Sequence, residues 1–155
     1  MAVGRASIAK HPLHPMLVVF PIGLWVAALA FDIVEMVTGN PLWRTLAFWN
    51  IVGGIVGALL AAVPGFLDYP GVKGREGRIA TWHMVLNLAA VALFAVNAFV
   101  RLRVNADSPW PLLLSIVGVA GVFVSGWLGG ELVYVERFGV VEPKGARENR
   151  PRRVA

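Results

Sequence analysis

Three histidines are the residues of this chain best suited to chemistry, and two of them, His11 and His14, sit three positions apart in the run His11-Pro12-Leu13-His14-Pro15. The third is His83. Imidazole holds haem iron and divalent transition metals and exchanges protons near neutral pH, so paired imidazoles raise all three possibilities. Pro15 fits the first turn of a helix, where its missing N–H goes unused, and biases His14 toward an extended, cap-like backbone. Pro12 does the same to His11, so both rings are aimed by a stiffened segment. There is no cysteine, which excludes a disulfide, a thiolate metal site and iron–sulfur ligation by this chain.

The elements that carry these residues are apolar. Of 155 residues, 57% are hydrophobic and 15% charged, a balance that calls for a bilayer as solvent. Four stretches, about 15–37, 46–66, 79–100 and 111–133, approach or exceed the roughly 20 residues that a helix needs to cross the hydrocarbon. The alternation of a membrane β-barrel is absent. Short connections join antiparallel neighbours, so the fold expected is all-α: an integral membrane, up-down four-helix bundle over 13–135, with a segment 1–12 before it and a basic, mobile tail 136–155 after it. Arg5 and Lys10 before an apolar run imitate a secretory signal, but Pro21 and Gly23 interrupt that run and it continues past Ala30, which favours a first span.

With four passes, the N-terminus, the second loop and the C-terminus share a side, and that side holds eleven Lys and Arg against Arg44, Arg101 and Arg103 opposite. The positive-inside rule then puts both termini in the cytoplasm and the bundle in a bacterial inner membrane. The basic tail reads as an orientation signal or a contact with anionic lipid. Nucleic-acid binding is a poor explanation of the charge, because the cluster adjoins a membrane and lacks stacking aromatics.

Parity brings polar residues to one level. His11, His14, Asp68, Tyr69, His83 and Glu131 all lie at the helix ends on the side of the termini, with Asn87 one turn deeper; at the other end Asp32, Glu35, Asn50 and Asn97 look scattered. His83, Asn87 and Asn97 form one polar stripe on the third helix that should face the interior. His14 and Asp32, five turns apart, project on one side of the first helix with Trp25 between them. Gly53 and Gly57, then Gly121, Ser125 and Gly129, recur every four residues and mark close helix packing. No internal repeat is evident: the Pro-rich start of the first helix has no counterpart in the third.

Several functions are compatible with this pattern. Haem b can be held in a four-helix bundle by two histidines from different helices, here His14 and His83, with His11 nearby and Arg75 or Arg78 for the propionates. A divalent metal would take His11, His14, His83 and Asp68 or Glu131. A noncatalytic subunit or scaffold would use the same residues to tie helix ends together. A small oligomeric transporter or proton conductor would use Asp32, Asn97 and the histidine cluster as a polar path. Hydrolysis is a weaker reading, since Ser125 has no histidine at its level. No catalytic residue is assigned, and homo-oligomers are compatible with the sequence.

The segments His11-Pro-Leu-His14-Pro-Met-Leu-Val-Val-Phe-Pro-Ile-Gly23, Pro64-Gly-Phe-Leu-Asp68-Tyr69, His83 with Asn87, and Gly126-Trp-Leu-Gly-Gly-Glu131-Leu-Val-Tyr134 resemble the small bacterial membrane proteins catalogued as domain of unknown function 2231. The resemblance implies a four-helix integral membrane protein. Through relatives linked to Rieske-type iron–sulfur modules, it also implies a redox setting with a membrane redox complex or iron–sulfur protein as partner. Where relatives carry a histidine after the final tyrosine, this chain reads Tyr134-Val-Glu136-Arg137-Phe138-Gly139.

Overall fold

The structure is a computed structural model and describes residues 6–9, 11–105, 107–138 and 140. A short antiparallel hairpin, β1 (Ser7–Ile8) and β2 (His11–Pro12), leads into α1 (Leu13–Leu17) and α2 (Val19–Thr38), followed by α3 (Pro41–Asp68), α4 (Gly74–Arg101) and α5 (Trp110–Gly130). A π turn, Glu131–Val135, prolongs α5. Together α1 and α2 make the first of four spans of 26 to 28 residues, each long and apolar enough to cross a membrane. At 1.5 Å per residue these rods exceed the roughly 30 Å of hydrocarbon, so their ends reach the polar headgroups. The all-α four-helix membrane architecture is therefore as expected. The tail expected from 136 onward falls almost wholly outside the described residues.

The helices are longer than the apolar runs because local signals, not hydropathy, set their ends. Gly39 ends α2 in the left-handed region (φ 66°), its N–H returning to Glu35 O at 2.8 Å. Asn40 then caps α3 by accepting from the Leu42 N–H at 3.0 Å, and Pro41 takes the first helical position. The expected loop 38–45 thus shrinks to two residues. The break at Val18 has a comparable local cause: Pro21 lacks the N–H that would reach the carbonyl four residues back.

Contrary to the expectation of no repeat, the chain folds as two equivalent helical hairpins. The first hairpin is α1 to α3, the second α4 and α5. Positions 69 apart correspond between the first and third spans, and positions 64 apart between the second and fourth. The correspondence is visible in what touches what. His14 bonds to Ala61 O and lies on Gly65; His83 bonds to Ser125 O and lies on Gly129. Trp25 covers Gly54 and Phe94 covers Gly118. Corresponding residues also meet each other across the centre: His14 with His83, Trp25 with Phe94, and Asp32 with Arg101. Such self-pairing of equivalent positions is what an approximate two-fold axis along the bundle produces, the arrangement of parallel repeats about a membrane normal.

The middle layer is the core. Trp25 and Phe94 stack with ring centres 4.3 Å apart and planes 13° from parallel, and both are buried. The Trp25 indole N–H donates to Ile51 O at 3.3 Å. A Cβ at Gly54 would collide with the indole, and one at Gly118 would stand 2.7 Å from Phe94 Cζ, so these two glycines admit the rings. A Cβ at Gly57 would stand 3.2 Å from Pro21 Cδ, whereas one at its counterpart Gly121 would have nothing within 4 Å. The reason is the partner: Ala90 stands where Pro21 stands in the first hairpin. The four-residue glycine spacing was thus a packing signal at Gly53, Gly57 and Gly129 but not at Gly121, and it passed over Gly54, Gly65 and Gly118.

Candidate functional site

His14 starts the first span and His83 lies in the third turn of α4, which sets both at the same end of the bundle. Their ring centres are 6.0 Å apart with planes at 89°. Each Nδ1 faces a helix carbonyl, Ala61 O at 2.7 Å for His14 and Ser125 O at 2.8 Å for His83. A carbonyl only accepts, so both Nδ1 atoms carry a proton, and in the neutral form of each ring the lone pair lies on Nε2. No hydrogen bond engages the His14 Nε2 among the described residues. The His83 Nε2 accepts from the Asn87 side-chain amide at 3.0 Å, and Asn87 also donates to His83 O. Ser125, expected to have no histidine at its level, places its Oγ 3.1 Å from His83 Nδ1.

Close packing fixes both rings. A Cβ at Gly65 would lie 2.9 Å from His14 Nδ1, and one at Gly129 would lie 3.1 Å from His83 Cε1. Each imidazole therefore occupies the notch of a glycine and bonds to the carbonyl one turn before it. Holding the ring through Nδ1–H to a carbonyl is the way metal-bound histidines are usually oriented. Two imidazoles on opposite sides of one metal ion at about 2.0 Å per bond have ring centres roughly 6 Å apart; here the centres are 6.0 Å apart, with the His83 Nε2 turned to Asn87. For a metal ion to sit between them, Asn87 would have to release the His83 Nε2.

The other residues expected at this end go elsewhere. His11 is exposed and its Nδ1 donates to Ala9 O at 2.9 Å. Asp68 accepts the Ala6 N–H at 2.9 Å and so ties the β-hairpin to the end of α3. The Tyr69 hydroxyl shares a hydrogen bond with Thr81 at 2.8 Å. Glu131 is drawn to Arg75, which also bonds to Glu136 across the π turn. Among the described residues no three of His, Asp and Glu are placed to hold a metal ion. The divalent set of His11, His14, His83, Asp68 and Glu131 is not assembled, because backbone and arginine donors already engage its carboxylates. Arg75, expected to serve propionates, is likewise occupied.

At the far end Asp32 and Asn97 are not scattered but joined in one network, whereas Glu35 pairs with Arg44 and Asn50 donates to Leu46 O. Asp32 Oδ2 accepts from Arg101 Nη2 at 2.6 Å and from Ser115 Oγ at 2.7 Å. Arg101 Nε donates to Asn97 Oδ1 at 3.0 Å, and Asn97 Nδ2 donates to Ser115 Oγ and to Pro111 O. The Asp32 and Arg101 side chains are only 6% and 4% exposed, which inside a membrane demands this degree of pairing. Sequence reading put Arg101 in a loop beyond the third span. The signal that would have found it is the spacing: Asp32 and Arg101 are 69 apart, as His14 and His83 are.

A model for a family of predicted membrane proteins, DUF2231, matches residues 10–142. This chain belongs to the DUF2231 family. Its matched region contains both paired histidines, the aromatic layer and all four residues of the far-end network. Membership in DUF2231 agrees with the four spans and assigns no activity. No curated protein and no solved structure gives a significant match.

Proposed function

We propose that this DUF2231 protein is a b-type haem protein of the bacterial inner membrane, with both termini cytoplasmic and His14 and His83 as the axial pair. The observation that carries the reading is a pair of imidazoles from different helices, both fixed through Nδ1–H with ring centres 6.0 Å apart, the His14 Nε2 unengaged and the His83 Nε2 held by Asn87 among the described residues. When bound, haem would supply one-electron transfer to a membrane redox complex or an iron–sulfur partner. The chain's own part is to orient the rings through the Ala61 and Ser125 carbonyls and to exclude bulk at Gly65 and Gly129. Asn87 holds the His83 lone pair until a ligand displaces its amide. The transporter reading is less well supported, because the stacked Trp25 and Phe94 rings lie between the histidine end and the Asp32–Arg101 network.

The test is a visible spectrum of detergent-purified protein, oxidised and reduced, before and after titration with hemin, with metals measured on the same sample. The reading expects a Soret band that shifts on reduction, is lost in His14→Ala and His83→Ala, and is retained in His11→Ala. Folded protein that is colourless and metal-free as purified, and that retains no Soret band once unbound hemin is removed, would sink it. A noncatalytic scaffold would then be the reading to pursue, through copurification of a stoichiometric partner in mild detergent.

A further inference from the structure

The two hairpins meet through three layers of corresponding residues, and the layers differ in what else they would accept. Two copies of the first hairpin would set His14 against His14 and Trp25 against Trp25. Two copies of the second would set His83 against His83 and Phe94 against Phe94. Neutral imidazoles and aromatic rings tolerate such self-pairing. The third layer does not. Two first hairpins would bury Asp32 against Asp32, and two second hairpins Arg101 against Arg101, with no water to screen like charges.

The hydrogen bonds that support the pair come from one side only. Asn97 and Ser115 occupy the positions of Ala28 and Ile51 in the first hairpin, and all four are fully buried. Arg101, Asn97 and Ser115 thus form a socket on the inner face of the second hairpin, and Asp32 is the group that fills it. We propose that this socket is a recognition site for a carboxylate-bearing helix, and that it makes each hairpin select its own chain's other half over the like hairpin of a second copy. The proposal is independent of haem, since it rests on the opposite end of the bundle.

The natural chain has no cysteine, so a single one reports pairing without background. Ala28 is buried between the Trp25 and Asp32 levels of the same helix, and Ala28→Cys can form an intermolecular disulfide only where two first hairpins come together. In membranes under mild oxidant, full-length Ala28→Cys protein is expected to stay uncross-linked. Adding Asp32→Leu and Arg101→Leu removes the discrimination while leaving an apolar core, which buried ion pairs often tolerate. Covalent dimer should then rise by about tenfold or more, the factor corresponding to about 1.4 kcal/mol of lost discrimination. A folded apolar variant that stays uncross-linked overturns the proposal. The charge-reversed chain Asp32→Arg with Arg101→Asp keeps the question open to measurement if the apolar variant does not fold. It should recover cross-link resistance and folded yield that either single reversal loses, and no recovery would likewise overturn the proposal.

Discussion

Replacing Gly65 by alanine is the sharpest test of the histidine geometry, because the added atom has a definite address. A Cβ there would lie 2.9 Å from His14 Nδ1 and 3.2 Å from Cε1, closer than side chains normally pack, so the ring must withdraw. Withdrawal strains a packed site, worth about 1–3 kcal/mol, and stretches the 2.7 Å bond to Ala61 O, worth about 1 kcal/mol net. Against this, alanine gains about 1 kcal/mol of helix propensity over glycine. The balance is a loss of about 1–3 kcal/mol. For a chain of this size each kcal/mol moves the melting temperature by about 2–4 °C, so Gly65→Ala should melt lower by roughly 5 °C in detergent. Gly121→Ala is the internal control: nothing stands within 4 Å of its Cβ, so the propensity gain acts alone and melting should hold or rise slightly. If hemin binds, Gly65→Ala should also perturb its Soret band while Gly121→Ala does not. Equal melting temperatures for the two variants would refute the claim that Gly65 shapes the His14 notch.

Other outcomes follow from the same geometry. Phe94→Ala removes a fully buried ring from the stacked layer and should cost about 3 kcal/mol, read as a fall in melting temperature larger than that of any variant at the helix ends. Asp68→Ala breaks the charge-assisted bond to the Ala6 N–H, so hydrogen exchange at Leu13, whose amide bonds to Ala6 O, should accelerate with little change in global melting. Glu131→Gln should shift stability by no more than about 1 kcal/mol, and less at high salt, because its partner Arg75 is 60% exposed; a large loss would show that the Arg75 clasp is more than a surface pair.

Hydropathy alone was enough for four helices and their order, because a bilayer leaves the backbone few other choices. Parity was enough to bring His14 level with His83. Helix ends were misjudged where capping overrode composition: Gly39, Asn40 and Pro41 close a turn in two residues that an apolar count treats as eight. The grouping of His11, Asp68 and Glu131 with the paired histidines failed for another reason. Level along a helix does not fix direction around it, and Ala6 and Arg75 compete for the two carboxylates. The repeat is not legible in the sequence because its halves share shape more than letters. Pro21 answers to Ala90, Ala28 to Asn97 and Asp32 to Arg101, so likeness shows only once contacts are compared.

That divergence bears on how the protein enters the membrane. The second hairpin carries the polar members of the matched positions: Asn87 for Val18, Asn97 for Ala28, Ser115 for Ile51 and Ser125 for Ala61. Its leading span has the lowest mean hydropathy of the four, 1.9 against 2.3 for the first. The penalty for an arginine in a span is largest at the helix centre, about 2.5–3.5 kcal/mol, and Arg101 is the last residue of α4, so its share is smaller. Synthesis from the N-terminus places the first hairpin in the bilayer beforehand, so Asp32 is already waiting when Arg101 arrives. The order of the halves along the gene thus lets the earlier one act as an insertion partner for the later one.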